Sequence, residues 1–384
     1  MDFQLSPAQA QIRDTARKLA QSVLQEHAAA VDAGQFPLTG LSAVAKAGLL
    51  GIKVDPKWGG LGGDNVAYCA AIAEVSEVCA STAVAVAVTN MVADMIELYG
   101  TDAQKDRFLA PTVRGDWPAA SFALSESGAG SDAASLRCKA EKTATGWRLT
   151  GSKQWITSGD VAGVILVMAR TTPEPGARNI TAFLVNGDAA GLSVGRHEEK
   201  LGLHGSSTVT LQLDGVEVSD DQVLGGLGRG FEIAMVALDG GRCGIGAQAL
   251  GMGRRALRGA AQHLQVRAAT DKALGTDQGS QFRLADMATR LDAAALMVWR
   301  AAWLKDTGKK MSKEAAMAKV MATEAANFVC QTALQLIGAA ALDSRHPVVR
   351  AFRDVRVSRI YEGTSEVQRL VVARTLAAGV APSR

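Results

Sequence analysis

The 384-residue sequence is poor in the residues that usually announce a metal, disulfide or nucleic-acid protein. Its five cysteines, Cys69, Cys79, Cys138, Cys243 and Cys330, are odd in number and scattered, without metal-ligand or redox spacing. That excludes a disulfide framework and fits a reducing cytoplasm. The five histidines are equally dispersed, so no metal centre is expected. A net charge of +3 is too slight to hold nucleic acid or an anionic membrane through the overall field. The longest uncharged runs, 78–93 and 325–342, are Ala-rich and carry Ser81, Thr82, Asn90, Asn327, Gln331 and Gln335. They read as buried core helices, not membrane insertion. The opening MDFQLSPAQAQIRDTARKLA interleaves charges with apolar residues and lacks the apolar core of a secretion signal.

What is present is an ordinary globular composition, 48% hydrophobic and 21% charged, long enough for two or three domains. Residues 1–116 are helical in character. Ser6-Pro7-x-Gln9 supplies an N-cap, a first-turn proline and a reaching-back glutamine, and Ile12, Ala16, Leu19 and Val23 follow at helical spacing. Thr101 or Asp102 can cap a later helix. Over 117–228 the texture changes to short β-type runs separated by Gly and Asp turns: 147–150, 164–169, 180–185 and 209–213. Long helical patterns return over 229–384, where Ser365-x-x-Gln368 reads as a capping box opening a helix that Gly379 closes. This order predicts an α+β protein in three parts.

Three segments carry chemistry. Phe122-Ala-Leu-Ser-Glu-Ser-Gly-Ala-Gly-Ser131 mixes glycines with hydroxyls, which lets backbone N–H groups approach a ligand; an interdomain turn is the ordinary alternative. Lys153-Gln-Trp155-Ile-Thr157 places an indole and a hydroxyl two residues apart on a strand, either as a ligand surface or as core. Tyr361-Glu362-Gly363-Thr364 puts a carboxylate just ahead of a helix, where a solvated loop residue is the commonplace reading. Arg350, Arg353, Arg356 and Arg359 recur every three residues and could form an anion-binding stripe; the commonplace reading is a solvated, charged helix face paired with Asp354 and the neighbours of Glu362.

Together these segments closely resemble the acyl-CoA dehydrogenase family, and the likeness runs over nearly the whole chain. It continues through Trp58-Gly-Gly60, Glu199-Lys-Leu-Gly-Leu-His-Gly-Ser-Ser207, Leu238-Asp-Gly-Gly-Arg242 and Lys313-Glu-Ala-Ala-Met-Ala-Lys319. The short-chain, butyryl-type branch is nearest. The resemblance implies an N-terminal helical domain, a middle β-barrel-like domain and a C-terminal four-helix bundle. It also implies an FAD enzyme that converts a short- or medium-chain acyl-CoA to the trans-2-enoyl-CoA. Glu362 would be the base and flavin N5 the hydride acceptor. Electrons would pass to an electron-transfer flavoprotein, in fatty acid β-oxidation. By position, Phe122, Leu124, Ser125, Gly130, Ser131, Trp155, Ile156 and Thr157 would line the flavin, with Thr364, Ser365 and Glu366. Arg267, Gln278, Gln335, Gly338 and Ala339 would reach the flavin of a neighbouring subunit in a homotetramer. Ser131, Asp239, Arg242 and Gly363 would touch substrate. One branch places its base at the position of Gly241; glycine cannot serve, which leaves Glu362.

The pattern breaks in places. Glu126-Ser127-Gly128 replaces the usual Glu-Pro-Gly; Arg267 to Leu274 loses an aromatic, a glycine and a proline; and Ala339 and Ala341 replace two glycines where backbone would approach flavin pyrophosphate. These losses motivate a flavin-poor, non-catalytic homologue as an alternative role; separately, the same fold could act on a carrier-protein-bound acyl group, or on a β-substituted thioester that loses its substituent without net oxidation.

Overall fold

The computed structural model describes residues 4–174, 176–270 and 277–380. Helix α1 (Pro7–Leu19) opens with the reciprocal cap that the sequence predicts: Ser6 Oγ accepts the Gln9 amide at 3.3 Å and Gln9 Oε1 accepts the Ser6 amide at 2.8 Å. A π-turn at Ala20–Leu24 carries it into α2 (Gln25–Asp32). Next come α3 (Leu38–Lys46), α4 (Asn65–Val78, capped by Asp64), and α5 (Ala80–Tyr99). Thr101 caps α6 (Asp102–Gln104), which leads to α7 (Ala110–Arg114). Helix α5, which holds most of the first uncharged run, is buried from Ala80 to Ile96.

Eight strands follow: β1 (Ala119–Ala123), β2 (Lys139–Lys142), β3 (Gly146–Thr157), β4 (Ala162–Arg170), β5 (Ile180–Asn186), β6 (Leu192–His197), β7 (Thr208–Ser219) and β8 (Val223–Leu224). They form one sheet in the order β6-β7-β3-β2-β4-β5-β8, with β1 beside β4. Both β1 and β2 run parallel to β4, while the other pairs are antiparallel. Strands β4 and β5 read as unbroken apolar runs because both their faces are covered. Val164, Leu166, Met168, Ala182 and Leu184 face the helical core. Ile165, Val167, Ala169, Phe183 and Val185 face a second core inside the curved sheet. Each fully buried Leu, Ile or Val there contributes about 1.5–3 kcal/mol.

The last part is a bundle of α8 (Gly230–Thr270), α9 (Gln278–Asp306), α10 (Ser312–Ile337) and α12 (Ser365–Val380), with the shorter α11 (Pro347–Val355) across it. Helix α8 packs on α10, α9 and α4. A β-carbon at Gly251 would collide with the Ala73 carbonyl of α4, so glycine lets the two backbones meet.

Four expectations are corrected here. The cap of α12 is Thr364, whose Oγ1 accepts the Val367 amide at 3.2 Å; Ser365 Oγ instead donates to Glu324 Oε1 at 3.1 Å. Gln368 completes no capping box, because its amide nitrogen turns to two carbonyls of the preceding turn. Helix α12 also continues through Gly379 to Val380. The second uncharged run is only half core: Ala326, Val329, Cys330 and Ala333 point inward, while Phe328, Gln331 and Gln335 line an open cavity. Finally, the arginine face is a solvated stripe only in part: Arg356 is exposed, whereas Arg350 and Arg353 are drawn into contacts with the first part of the chain. Helix α11 bridges the first and last parts of the chain, so Arg350 donates to the Ala28 carbonyl at 2.7 Å and Arg353 grips both Asp32 oxygens at 2.6 and 2.7 Å. Asp354 is buried and accepts the Leu203 amide at 2.6 Å.

Candidate active site

After α11 the chain makes a 3-10 turn (Arg356–Arg359) and then reverses through Glu362 at φ 53° and Gly363 at φ 84°. A non-glycine residue in this left-handed region costs roughly 1–2 kcal/mol, so the turn must be held from outside. It is held from two helices. Gln368 Nε2, on α12, donates to the Glu362 and Gly363 carbonyls, each at 3.0 Å. Lys319 Nζ, on α10, donates to the Gly363 carbonyl at 2.8 Å. On the other side, the Tyr361 hydroxyl donates to Gln248 Oε1, whose own amide nitrogen reaches the Ala80 carbonyl at 2.9 Å.

The Glu362 side chain is thereby laid against α8 at Gly241. A β-carbon at 241 would lie 2.5 Å from Glu362 Oε2. That oxygen is buried with no hydrogen-bond partner. Burial pushes the carboxyl up to about 7, against the opposing pull of the Arg242 and Lys319 cations. Arg242 pairs with Asp239 one turn earlier on α8, Asp239 accepts from Ser312 Oγ, and Arg242 Nε is buried without a partner. Helices α8, α10 and α12 thus bring Asp239, Arg242, Lys319, Glu362 and Gly363 together. A carboxyl poised near neutrality, with a lone pair free, is suited to accept a proton from carbon.

The second group joins the 122–131 loop to β3. Glu126 is its anchor: Oε2 accepts the Arg137 amide at 2.6 Å, and Oε1 accepts the Cys138 amide at 2.9 Å and Lys153 Nζ at 2.8 Å. Lys153 is fully buried and also reaches the Leu124 carbonyl at 3.1 Å. Ser125 accepts the Gln154 amide through its carbonyl at 2.9 Å, and Ser121 Oγ donates to the Thr157 carbonyl at 2.7 Å. Phe122 packs partly buried against the helical core, and the side chains of Leu124 and Ile156 are buried. A bulge between Lys153 and Ile156 puts Trp155 at φ 62° with its side chain outward, 59% exposed. Gly130 and Ser131 are exposed, and β-carbons at Gly128 and Gly130 would meet nothing within 4 Å. Neither packing nor backbone conformation within the chain asks for glycine there. A bare indole face beside an open glycine loop fits a flat aromatic cofactor whose polar groups need backbone N–H donors.

A third group surrounds a cavity of about 780 Å³ lined by Gln335, Gly338, Ala341, Arg356 and Arg359 among others. Glu324 at its edge links it to the Glu362 turn, because it accepts both Arg359 Nε at 3.0 Å and Ser365 Oγ. Ala339 is exposed in the 3-10 turn Gly338–Leu342, and Glu366 is exposed beside Arg369. Arg267 lies in the last turns of α8 and Gln278 opens α9; residues 271–276 between them lie outside the described residues, including Asp271, Ala273 and Leu274 of the altered family segment.

Sequence reasoning named Glu126, Lys153 and Lys319 only as parts of motifs and assigned them no task. Gln248 was missed, although an amide inside the apolar Gly246–Leu250 stretch of α8 is a signal that some buried polar partner exists.

An exposed indole over a β domain, set beside a helical bundle that buries one carboxylate in a left-handed turn, is the layout of a flavin-dependent dehydrogenase. The chain belongs to the acyl-CoA dehydrogenase family. The models for the acyl-CoA dehydrogenase N-terminal, middle and C-terminal domains match residues 6–116, 121–216 and 228–377. The chain is 42% identical over 364 residues to the mitochondrial short-chain specific acyl-CoA dehydrogenase of Bos taurus, covering 94% of this chain and 88% of that protein. Butyryl-CoA dehydrogenase from Megasphaera elsdenii superimposes with a TM-score of 0.95 at 36% identity, covering 98% of this chain and all of that one (100%). A chain solved in work on the electron transferring flavoprotein of Acidaminococcus fermentans matches equally well, with a TM-score of 0.95, 36% identity and coverage of 98% and 99%. The protein is an oxidoreductase of a family that uses FAD.

Proposed function

We propose that this chain oxidises a short- or medium-chain acyl-CoA to the trans-2-enoyl-CoA, with Glu362 taking the α-proton. The observation that carries this reading is the buried, unpartnered Glu362 Oε2, held against Gly241 with its carboxyl raised to about 7. Removal of an α-proton needs a base that is desolvated enough to be strong yet ionised at working pH, and burial opposed by two cations supplies both. Bound FAD supplies the acceptor for the two electrons that leave with the β-hydrogen. Trp155, the 122–131 loop and the Glu126–Lys153 clamp would hold the cofactor, and Arg242, Asp239 and Gly363 would border the acyl thioester. The names of the short-chain and butyryl relatives support the chain-length assignment, and the Acidaminococcus match supports an electron-transfer flavoprotein as acceptor. The reading extends to a homotetramer working in the cytoplasm in fatty acid β-oxidation. The exposed Phe282, Leu296 and Trp303, spaced by multiples of seven on α9, supply an apolar face for assembly.

The test is anaerobic mixing of FAD-loaded Glu362→Gln and wild type with butyryl-CoA while flavin absorbance is followed. Wild type bleaches and releases crotonyl-CoA, identified by mass. The variant binds acyl-CoA and stays yellow, with reduction slowed by about a hundred-fold or more. Rapid bleaching of the variant removes Glu362 from the role.

A further inference from the structure

The base turn is tied to α10 by a lysine whose presence packing does not explain. Lys319 is 0% exposed, and its ammonium donates to the Gly363 carbonyl at 2.8 Å. Among the described residues it makes no ion pair; burial lowers its ammonium to about 8, so it carries its charge at neutral pH, and the charge that most opposes that shift is Glu362. Methionine has similar length and would fill the same space without burying a cation. Nor is Lys319 needed to satisfy the carbonyl it touches, since Gln368 Nε2 donates to the same oxygen at 3.0 Å. What the ammonium adds is charge beside Glu362 and a second restraint on a turn with two successive left-handed residues.

Among the described residues, few groups face Glu362. From α8 comes Arg242, already paired with Asp239. From α10 comes Lys319. Tyr68 of α4 and the adjacent Tyr361 feel the Glu362 charge, but burial drives both phenols upward, so they stay neutral. Lys319 is thus the cation beside the carboxylate that has no carboxylate partner of its own.

We propose that Lys319 is a positioning residue for the reaction: it restrains the Gly363 carbonyl, and with it the Glu362–Gly363 turn, and it supplies the cation that favours the ionised base. The proposal rests on Glu362 being the proton acceptor. Removing the cation should make Glu362 harder to ionise, so the rate at neutral pH falls and recovers as pH rises. A lysine that merely filled the bundle would leave the pH dependence where it is.

The experiment uses FAD-loaded wild type, Lys319→Met, Gln368→Met and Glu362→Gln. Single-turnover flavin reduction by butyryl-CoA is measured against pH, and the infrared band of a protonated carboxylic acid, absent in Glu362→Gln, is titrated without substrate. In Lys319→Met both midpoints should move up by about one unit or more, while affinity for a non-reacting acyl-CoA thioether changes less than about two-fold. In Gln368→Met, which keeps the cation and loses the other restraint, the maximal rate should drop with the midpoint unmoved. A Lys319→Met midpoint equal to that of wild type, by either readout, overturns the proposal, as does a loss of thioether binding that matches the loss of rate. If Glu362→Gln reduces flavin normally, the assignment of the base has failed instead, which separates the two failures.

Discussion

The Glu362 carboxylate and the α-carbon of Gly241 share a space that admits no side chain at 241: a β-carbon there would sit 2.5 Å from Oε2. The glycine is therefore the floor on which the carboxylate rests, and its lack of a side chain sets how close the carboxylate lies to α8.

Gly241→Ala should separate stability from catalysis. Alanine within a helix is favoured over glycine by about 0.5–1 kcal/mol, so the melting temperature should hold or rise. The displaced carboxylate, by contrast, should reduce flavin about 10- to 100-fold more slowly, since misplacement by an ångström carries costs of that order. Stopped-flow reduction and a thermal melt on the same sample decide it; an unchanged rate means that Glu362 is not confined as described.

The clamp of Lys153 on Glu126 gives a second prediction. Breaking a buried ion pair from one side leaves an uncompensated charge and costs about 3–5 kcal/mol. Lys153→Met should therefore lower stability by that amount in urea and loosen the 122–131 loop, which then releases FAD faster on dilution, read as the rise in free-flavin fluorescence. The double variant Lys153→Met/Glu126→Gln should recover most of the stability. If the double variant is no better than the single one, the pair is not the anchor.

Asp354 gives the third. Burial, the largest cause, raises its carboxyl to about 6 even though the Leu203 amide bonds to it. A carboxyl whose folded pKa lies above its unfolded value binds more protons when folded, so its contribution to stability is lost as pH rises through about 6. The shift corresponds to roughly 3 kcal/mol between acid and alkaline limits. Asp354→Asn keeps an acceptor for Leu203 and cannot ionise. Relative to wild type it should gain stability as pH rises from about 4 to about 6 in urea titrations, and keep that gain at higher pH. A wild-type-minus-variant difference that is flat across that range would falsify the assignment.

The sequence by itself determined the features that neighbouring residues can build. The Ser6–Gln9 cap, the apolar runs of β4 and β5, and the order of helices, strands and helices all depend on contacts within a few residues or on a repeat of two or 3.6. It also marked Glu362 through the motif around it. The state of that carboxylate was decided only by tertiary structure. Lys319 reaches Gly363 from 44 residues away and Tyr361 reaches Gln248 across 113. The same lesson applies to Ser365, whose hydroxyl matched a capping box on paper. Glu324, 41 residues away, takes it, and Thr364 caps instead. Local pattern fixes what a side chain is able to do, whereas burial and charge from other helices decide which of those bonds form and whether a carboxyl meets water or holds its proton near neutrality.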